Sequence, residues 1–300
     1  MREFVFAHDL GLITCMRDLS ATFGRFDPKT CGYKRSIQHP HGHICTLLER
    51  ADLADDEGSR ILWGGAVAAA LLLVGSTAFE QQPSQPPVPL RSTSSSMAHK
   101  VPTHDMGVVL AVQAALARGA TAGGGLLELG AGHGLPTALA ALSGAVAMAT
   151  ELPDNVHTLR GSLDQMVPPQ SAAGIAVAWP LPWGDAAAAA AAVTEMVACN
   201  ADLHCIIGCD VLYKPHHAKL LAETVALLCK ACADQQAALP DVVFCIDPDC
   251  VPGCASLFDC LYEELLSVVG DTHTVQAGAC SDSPGEPGCG VLLLCASALR

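Results

Sequence analysis

Beyond Val101 this 300-residue chain alternates short apolar runs with helical patterns, and that alternation restricts its fold more than any other feature. Residues 126–130, 146–150, 174–179, 203–210 and 241–247 read as strands. Residues 135–143, 154–167, 185–199, 215–233 and 254–269 read as helices between and after them. Asp154 is the expected N-cap of the second helix. The alanine-rich third helix has the best helix propensity in the chain, and Pro215 belongs near the first turn of the fourth. Strands separated by helices must cross over, so they pair in parallel with helices on both faces. Residues 273–277 and 290–295 form two last strands with only a Gly/Pro/Ser-rich turn between them, so these pair antiparallel. The expected fold is therefore α/β: a doubly wound, seven-stranded sheet, mostly parallel, with a C-terminal antiparallel hairpin strand.

The segments before this core are less regular. Residues 1–57 form an N-terminal extension with short strands, and 58–300 form the main domain. Residues 4–12 are apolar but broken by His8 and Asp9, a poor signal peptide. The run His39-Pro-His-Gly-His43 invites a metal reading; Pro and Gly make a polar turn between short strands the better one, since no carboxylate lies nearby. Residues 61–79 carry no charge and just reach the length of a membrane span. Eight of the 19 are Ala or Gly, so a buried helix explains them equally well. Residues 81–100 are rich in Pro, Ser and Gln and read as a flexible insertion.

Charge and cysteine content exclude some functions. Lys+Arg number 16 against 30 Asp+Glu, a formal net charge of −14. Such a surface repels phosphate backbones and argues against generic nucleic-acid binding. A basic protein partner fits better, although the charge also serves solubility. The 15 cysteines are odd in number and many sit in apolar runs, as at Cys205, Cys209, Cys229, Cys245 and Cys295. They read as small buried hydrophobes in a reducing compartment. Cys229 and Cys232 form a tight pair with no second pair to complete a zinc site, so no metal is expected.

Ligands of doubly wound sheets lie beyond the carboxyl ends of the strands, and four features fall there. Glu128-Leu-Gly130-Ala131-Gly132-His133-Gly134 leaves the first core strand and enters a helix. Its glycines let the backbone approach a ligand, and the helix start offers free N–H groups. The spacing is Gly-x-Gly-x-Gly after an acid, not Gly-x-Gly-x-x-Gly, which argues against a nicotinamide enzyme. Glu151 closes the second strand, where an acid can accept both hydroxyls of a ribose; an exposed loop carboxylate is the bland alternative. Trp183 follows the third strand and either lines an adenine pocket or packs in the core. Asp210 and Tyr213 follow the fourth strand and can face the pocket mouth together; alternatively Asp210 only caps the next helix.

These residues resemble those of the class I seven-β-strand S-adenosylmethionine-dependent methyltransferases. The nearer resemblance is to the small protein-lysine methyltransferases, methyltransferase family 16. It rests on Gly58-Ser-Arg-Ile-Leu-Trp63, Leu-Glu128-Leu-Gly-Ala-Gly-x-Gly134-Leu, Trp183-Gly, and Asp210-Val-Leu-Tyr213. It spans roughly residues 58 to 300 in motif order. It implies a Rossmann-like fold and S-adenosylmethionine as cofactor. Trp63 would pack beside it, Gly130, Ala131 and Gly132 would line its amino-acid part, and Glu128 and Gly134 would belong to the cofactor-binding set. Glu151 would hold the ribose, Trp183 and Cys209 would flank the adenine, and Asp210 and Tyr213 would act beside the incoming nucleophile. The resemblance also makes residues 61–79 the helix after Trp63, not a membrane span. Four features depart from the family pattern. Position 151 is Glu where Asp is commoner, and His133 replaces a small hydroxyl residue. The insertion is long, and Asp247-Pro-Asp-Cys250 has no arginine or aromatic.

The implied activity is N-methylation of a protein lysine. A small-molecule or other side-chain acceptor, a non-catalytic binding module on the same fold, and a nicotinamide-dependent oxidoreductase are the competing readings. Cytoplasm is the default compartment, with the nucleus as the alternative.

Overall fold

A computed structural model describes residues 25–27, 32–38, 44–49, 106–167, 174–246, 254–280 and 289–296. Strands β1 (Arg25–Asp27), β2 (Gly32–Gln38) and β3 (Ile44–Glu49) make a small antiparallel sheet. The main body then runs α1 (Met106–Ala120), β4 (Gly124–Leu129), α2 (Leu135–Leu142), β5 (Val146–Glu151), α3 (Val156–Met166), β6 (Ile175–Pro180) and α4 (Ala186–Ala198). It continues with β7 (Asp202–Cys209), α5 (His217–Asp234), β8 (Asp241–Ile246), α6 (Cys254–Val269), β9 (His273–Cys280) and β10 (Cys289–Ala296).

The second sheet has seven strands in the order β6-β5-β4-β7-β8-β10-β9. From β6 to β8 every neighbouring pair is parallel. β10 runs antiparallel to both β8 and β9, so it alone is reversed. The first five core strands thus take the doubly wound order 3-2-1-4-5, and a hairpin completes the sheet. The expected fold class is the observed one.

The inner strands β4, β5 and β8 are buried on both faces, as a parallel sheet requires. Successive residues alternate between two cores. Leu126, Ala147, Ile207, Val243 and Leu293 join the cluster that holds Val112, Leu116, Leu139 and Leu159 from α1, α2 and α3. Leu127, Met148, Ile206, Phe244 and Leu292 join the cluster with Val193, Leu221, Val225 and Leu261 from α4, α5 and α6. Each chain direction places the strand ends, and the loops after them, along one edge. β4 and β7 adjoin where the winding reverses, so the crevice opens at the ends of those two strands.

Several expectations need correction. Helix α1 was not among the sequence-derived elements, because its run of Val, Leu and Ala gives no clean polar face. It closes one face of the sheet through buried Val112, Ala115, Leu116 and Ala120. Asp154 is not the cap of α3: Asn155 occupies that position and makes no side-chain capping bond. Pro215 lies in the turn before α5, which begins at His217. By contrast Asp185 caps α4 as its type favours, accepting the Ala187 and Ala188 N–H groups at 2.9 and 3.0 Å. The His39–His43 turn, Trp63, residues 61–79 and the insertion at 81–100 lie outside the described residues. Among the described residues no helix is long and apolar enough to cross a membrane.

One buried carboxylate ties three elements at the opposite edge of the sheet. Asp241 opens β8 and is 7% exposed. It accepts from the Arg118 guanidinium of α1, with Nε at 3.0 Å, and from the Ala296 N–H of β10 at 3.0 Å. Asp241→Ala should cost about 1–3 kcal/mol in urea unfolding, since Ala296 loses its acceptor. Asp241→Asn, which keeps an oxygen for Ala296, should lose less than half as much.

Candidate functional site

The loop after β4 turns on three left-handed glycines: Gly130, Gly132 and Gly134 have φ of 59°, 54° and 72°. A residue with a Cβ pays roughly 1–2 kcal/mol for such a conformation. Space adds a second reason at two of them. A Cβ on Gly130 would stand 3.0 Å from Trp183 Cζ2 and 3.1 Å from Val211 Cγ1. One on Gly134 would meet Leu159 and Leu163 at 2.9 Å. The glycines therefore let the loop lie flat between the Trp183 ring and α3.

Three hydrogen bonds fix the loop to β5. The Ala131 N–H donates to the Thr150 carbonyl at 2.9 Å. The Thr150 hydroxyl donates to the Glu128 carbonyl at 2.7 Å. The Gly132 N–H donates to Glu151 Oε1 at 3.1 Å, while Glu151 Oε2 accepts the Leu152 N–H at 2.8 Å. Glu151 thus stands against the glycine loop, at the end of the neighbouring strand.

Glu128 lies beneath the loop and is 1% exposed. Its Oε2 accepts the Thr137 N–H at 3.1 Å and the Thr137 hydroxyl at 2.6 Å. Helix α2 has Gly134 at its N-cap and no side-chain cap of its own. Glu128 supplies the acceptor that a capping side chain would. Burial pushes its carboxyl up to about 7; the Thr137 bonds oppose the shift and the Glu151 charge adds to it.

The far wall of the crevice comes from β7 and the turn after it. Cys209 is buried, and desolvation holds its thiol well above the ordinary range, with Cys245 beside it adding to the effect. A thiol so desolvated is not an activated nucleophile. Asp210 is 5% exposed and takes a φ of +52°, with its N–H on the Cys245 carbonyl at 2.9 Å. A left-handed aspartate that ends a core strand is the kind of constrained residue that clusters at functional sites. Trp183 is half-buried, and its turn is anchored by the Gly184 N–H on Thr224 Oγ1 at 2.9 Å. Tyr213 is half-buried as well.

The structure therefore gathers Gly130, Ala131, Gly132, Gly134, Glu151, Trp183, Cys209, Asp210 and Tyr213 along the sheet's switch-point edge, with Glu128 supporting them from below. Trp63 lies outside the described residues. Sequence reasoning missed Thr137 and Thr150, which position the loop, and His217. The imidazole of His217 is 4% exposed, and its ring lies 5.2 Å from Trp183 and 4.4 Å from Tyr213. The adjacent pair His216-His217, separated from the Asp-x-x-Tyr motif only by Lys214 and Pro215, was the available signal. Among the described residues no group of His, Cys, Asp and Glu could hold a metal ion.

No protein-family model matches the sequence, and no curated protein matches it. Solved structures similar to the chain include a magnesium protoporphyrin IX methyltransferase from Synechocystis PCC 6803 with bound S-adenosylhomocysteine. It is 12% identical with a TM-score of 0.37, over 57% of this chain and 73% of that one. A SAM-dependent methyltransferase from Agrobacterium tumefaciens is 11% identical with a TM-score of 0.45, over 97% of this chain and 76% of that one. A dehydrogenase/reductase from Sinorhizobium meliloti 1021 is 15% identical with a TM-score of 0.29, over 39% and 51% of the two chains. The fold assignment rests on the strand order and directions, not on likenesses this distant.

The Glu128 environment makes stability depend on pH in a stated direction. With its carboxyl raised from 4.5 to about 7, the folded chain keeps a proton that the unfolded chain releases across that window. Stability should therefore fall as pH rises from about 4.5 through 7, by roughly 3 kcal/mol in total. Glu128→Gln should abolish that fall in urea titrations run from pH 4.5 to 8. An unchanged slope in the variant would exclude Glu128 as its source.

Proposed function

We propose that this protein is an S-adenosylmethionine-dependent methyltransferase whose acceptor is a protein lysine. The observation that carries the reading is the glycine loop, whose three left-handed residues lie beside the Glu151 carboxylate at the end of the adjacent strand. This arrangement suits a nucleoside that carries an amino-acid arm. With no Cβ at Gly130, Gly132 or Gly134, the loop backbone lets the arm approach closely. An acid one strand away meets the ribose hydroxyls. The absence of any Cβ at Gly130 leaves the Trp183 ring close to the loop, as an adenine wall requires. The residues present fit the group.

When bound, the sulfonium cofactor supplies an activated methyl group. The chain's own residues then have to hold an uncharged amine in line with the methyl–sulfur bond, which is mainly a matter of positioning. Asp210 and Tyr213 accept hydrogen bonds from the amine and orient it. Partial burial at the pocket mouth disfavours the ammonium form and so helps the lysine lose its first proton. Glu128 serves as a support for the loop and for α2 and does not itself bind cofactor. The lysine assignment rests on the Asp210-Val-Leu-Tyr213 resemblance and on the net charge of −14, which favours a basic partner. Residues 58–300 form the catalytic unit on this reading, with 1–57 as an extension and 81–100 as an insertion.

Calorimetry with S-adenosylhomocysteine should detect one site, and NADH should give no heat. Gly132→Val, which puts a β-branched residue at a left-handed φ, should weaken binding at least about tenfold. Asp210→Ala should keep the affinity within about threefold while methyl transfer to lysines of a cell extract falls by about 100-fold or more. Equal turnover in Asp210→Ala would remove that residue from the reaction.

A further inference from the structure

His217 is a buried aromatic side chain beside Trp183 and Tyr213 that the proposed reaction leaves without a task. It begins α5, and its Nδ1 lies 3.1 Å from the Val211 carbonyl. A carbonyl only accepts, so Nδ1 carries the hydrogen and donates it. That bond ties the ring to the residue directly after Asp210. The imidazole then meets Trp183 edge-on, with centroids 5.2 Å apart and planes at 86°. It meets Tyr213 in the same way, at 4.4 Å and 85°. The indole also adjoins Gly130, where a Cβ would stand 3.0 Å from Cζ2.

These contacts form an unbroken path from the glycine loop through Trp183 and His217 to Tyr213. Edge-to-face pairs are directional: turning one ring changes the orientation that its partner prefers. His217, the buried ring of the three, is packed closely enough to pass such a turn on to its neighbours. We infer that His217 is a positioning residue that couples the cofactor side of the site, at Trp183, to the acceptor side, at Tyr213. Occupation of the crevice by the nucleoside sets the indole, the imidazole follows within the limits of its Val211 bond, and Tyr213 is brought to the orientation that receives the amine. The consequence is order of binding: the acceptor side is complete only when the cofactor side is filled. This inference rests on the methyltransferase reading.

The chain has three tyrosines, Tyr33, Tyr213 and Tyr262, so fluorotyrosine labelling gives a ¹⁹F NMR spectrum of three signals, and Tyr213→Phe assigns the one that matters. Saturating S-adenosylhomocysteine should shift the Tyr213 signal in the unsubstituted full-length protein. In His217→Asn the amide keeps a donor for Val211 but the ring is gone, and the ligand-induced shift should fall to less than half. Trp183→Phe breaks the path at its other contact and should reduce the shift likewise, which keeps the test decisive if the asparagine variant does not fold. Calorimetry on the same samples separates the two claims. If no variant and no unsubstituted protein binds S-adenosylhomocysteine, the methyltransferase reading fails and the coupling with it. If the ligand binds but Tyr213 does not respond, or responds equally after His217 or Trp183 is replaced, the methyltransferase reading stands and the role of His217 is overturned.

Discussion

The tight turn between β4 and α2 is the constraint on which the rest of the site depends. The backbone must reverse its course within five residues, and it does so by placing three glycines in a conformation that side chains resist. Flat loops of this kind do not hold themselves. Here the Ala131 N–H is tied to β5, the Gly132 N–H is tied to Glu151, and the helix that follows is capped from beneath by Glu128. The cost of burying that carboxyl is met by leaving it protonated over part of the neutral range, as its elevated pKa indicates. A buried acid with two donors on one oxygen is a demanding device, and its place under the loop explains why an acid precedes the glycines.

Much of the architecture was legible because parallel sheets write themselves plainly. Strands such as β4 and β8 are buried along their whole length and read as continuous apolar runs closed by glycine or aspartate. The reversed β10 was legible for a different reason: no helix separates it from β9, so only a hairpin can join them. What failed was local. Helix α1 is apolar nearly all round, so it has no periodic signature. Asp154 and Pro215 have the residue types of a helix start, yet each helix begins two residues later, at Val156 and His217. Propensity at a helix end is worth about a kilocalorie, and tertiary packing overrides it easily.

The site was legible as a set of chemistries at strand ends, and opaque as a set of contacts. Gly130, Glu151, Trp183 and Asp210 stand far apart in the chain and meet only because the winding reverses between β4 and β7. No spacing rule shows that Glu151 bonds the Gly132 N–H, or that Glu128 faces Thr137 and not the crevice. His217 was missed because a lone buried histidine in a helix pattern looks like core. Its importance lies in which rings it touches, and that is a tertiary fact.

The account stands or falls on whether that crevice takes a nucleoside with an amino-acid arm. A crystal structure of the protein soaked in S-adenosylhomocysteine addresses this directly. The ligand's amino-acid arm should lie along the loop from Gly130 to Gly134, its ribose hydroxyls on Glu151, and its adenine beside Trp183 and Cys209. A folded protein with an empty crevice at saturating ligand, or with the nucleoside bound elsewhere, would contradict it.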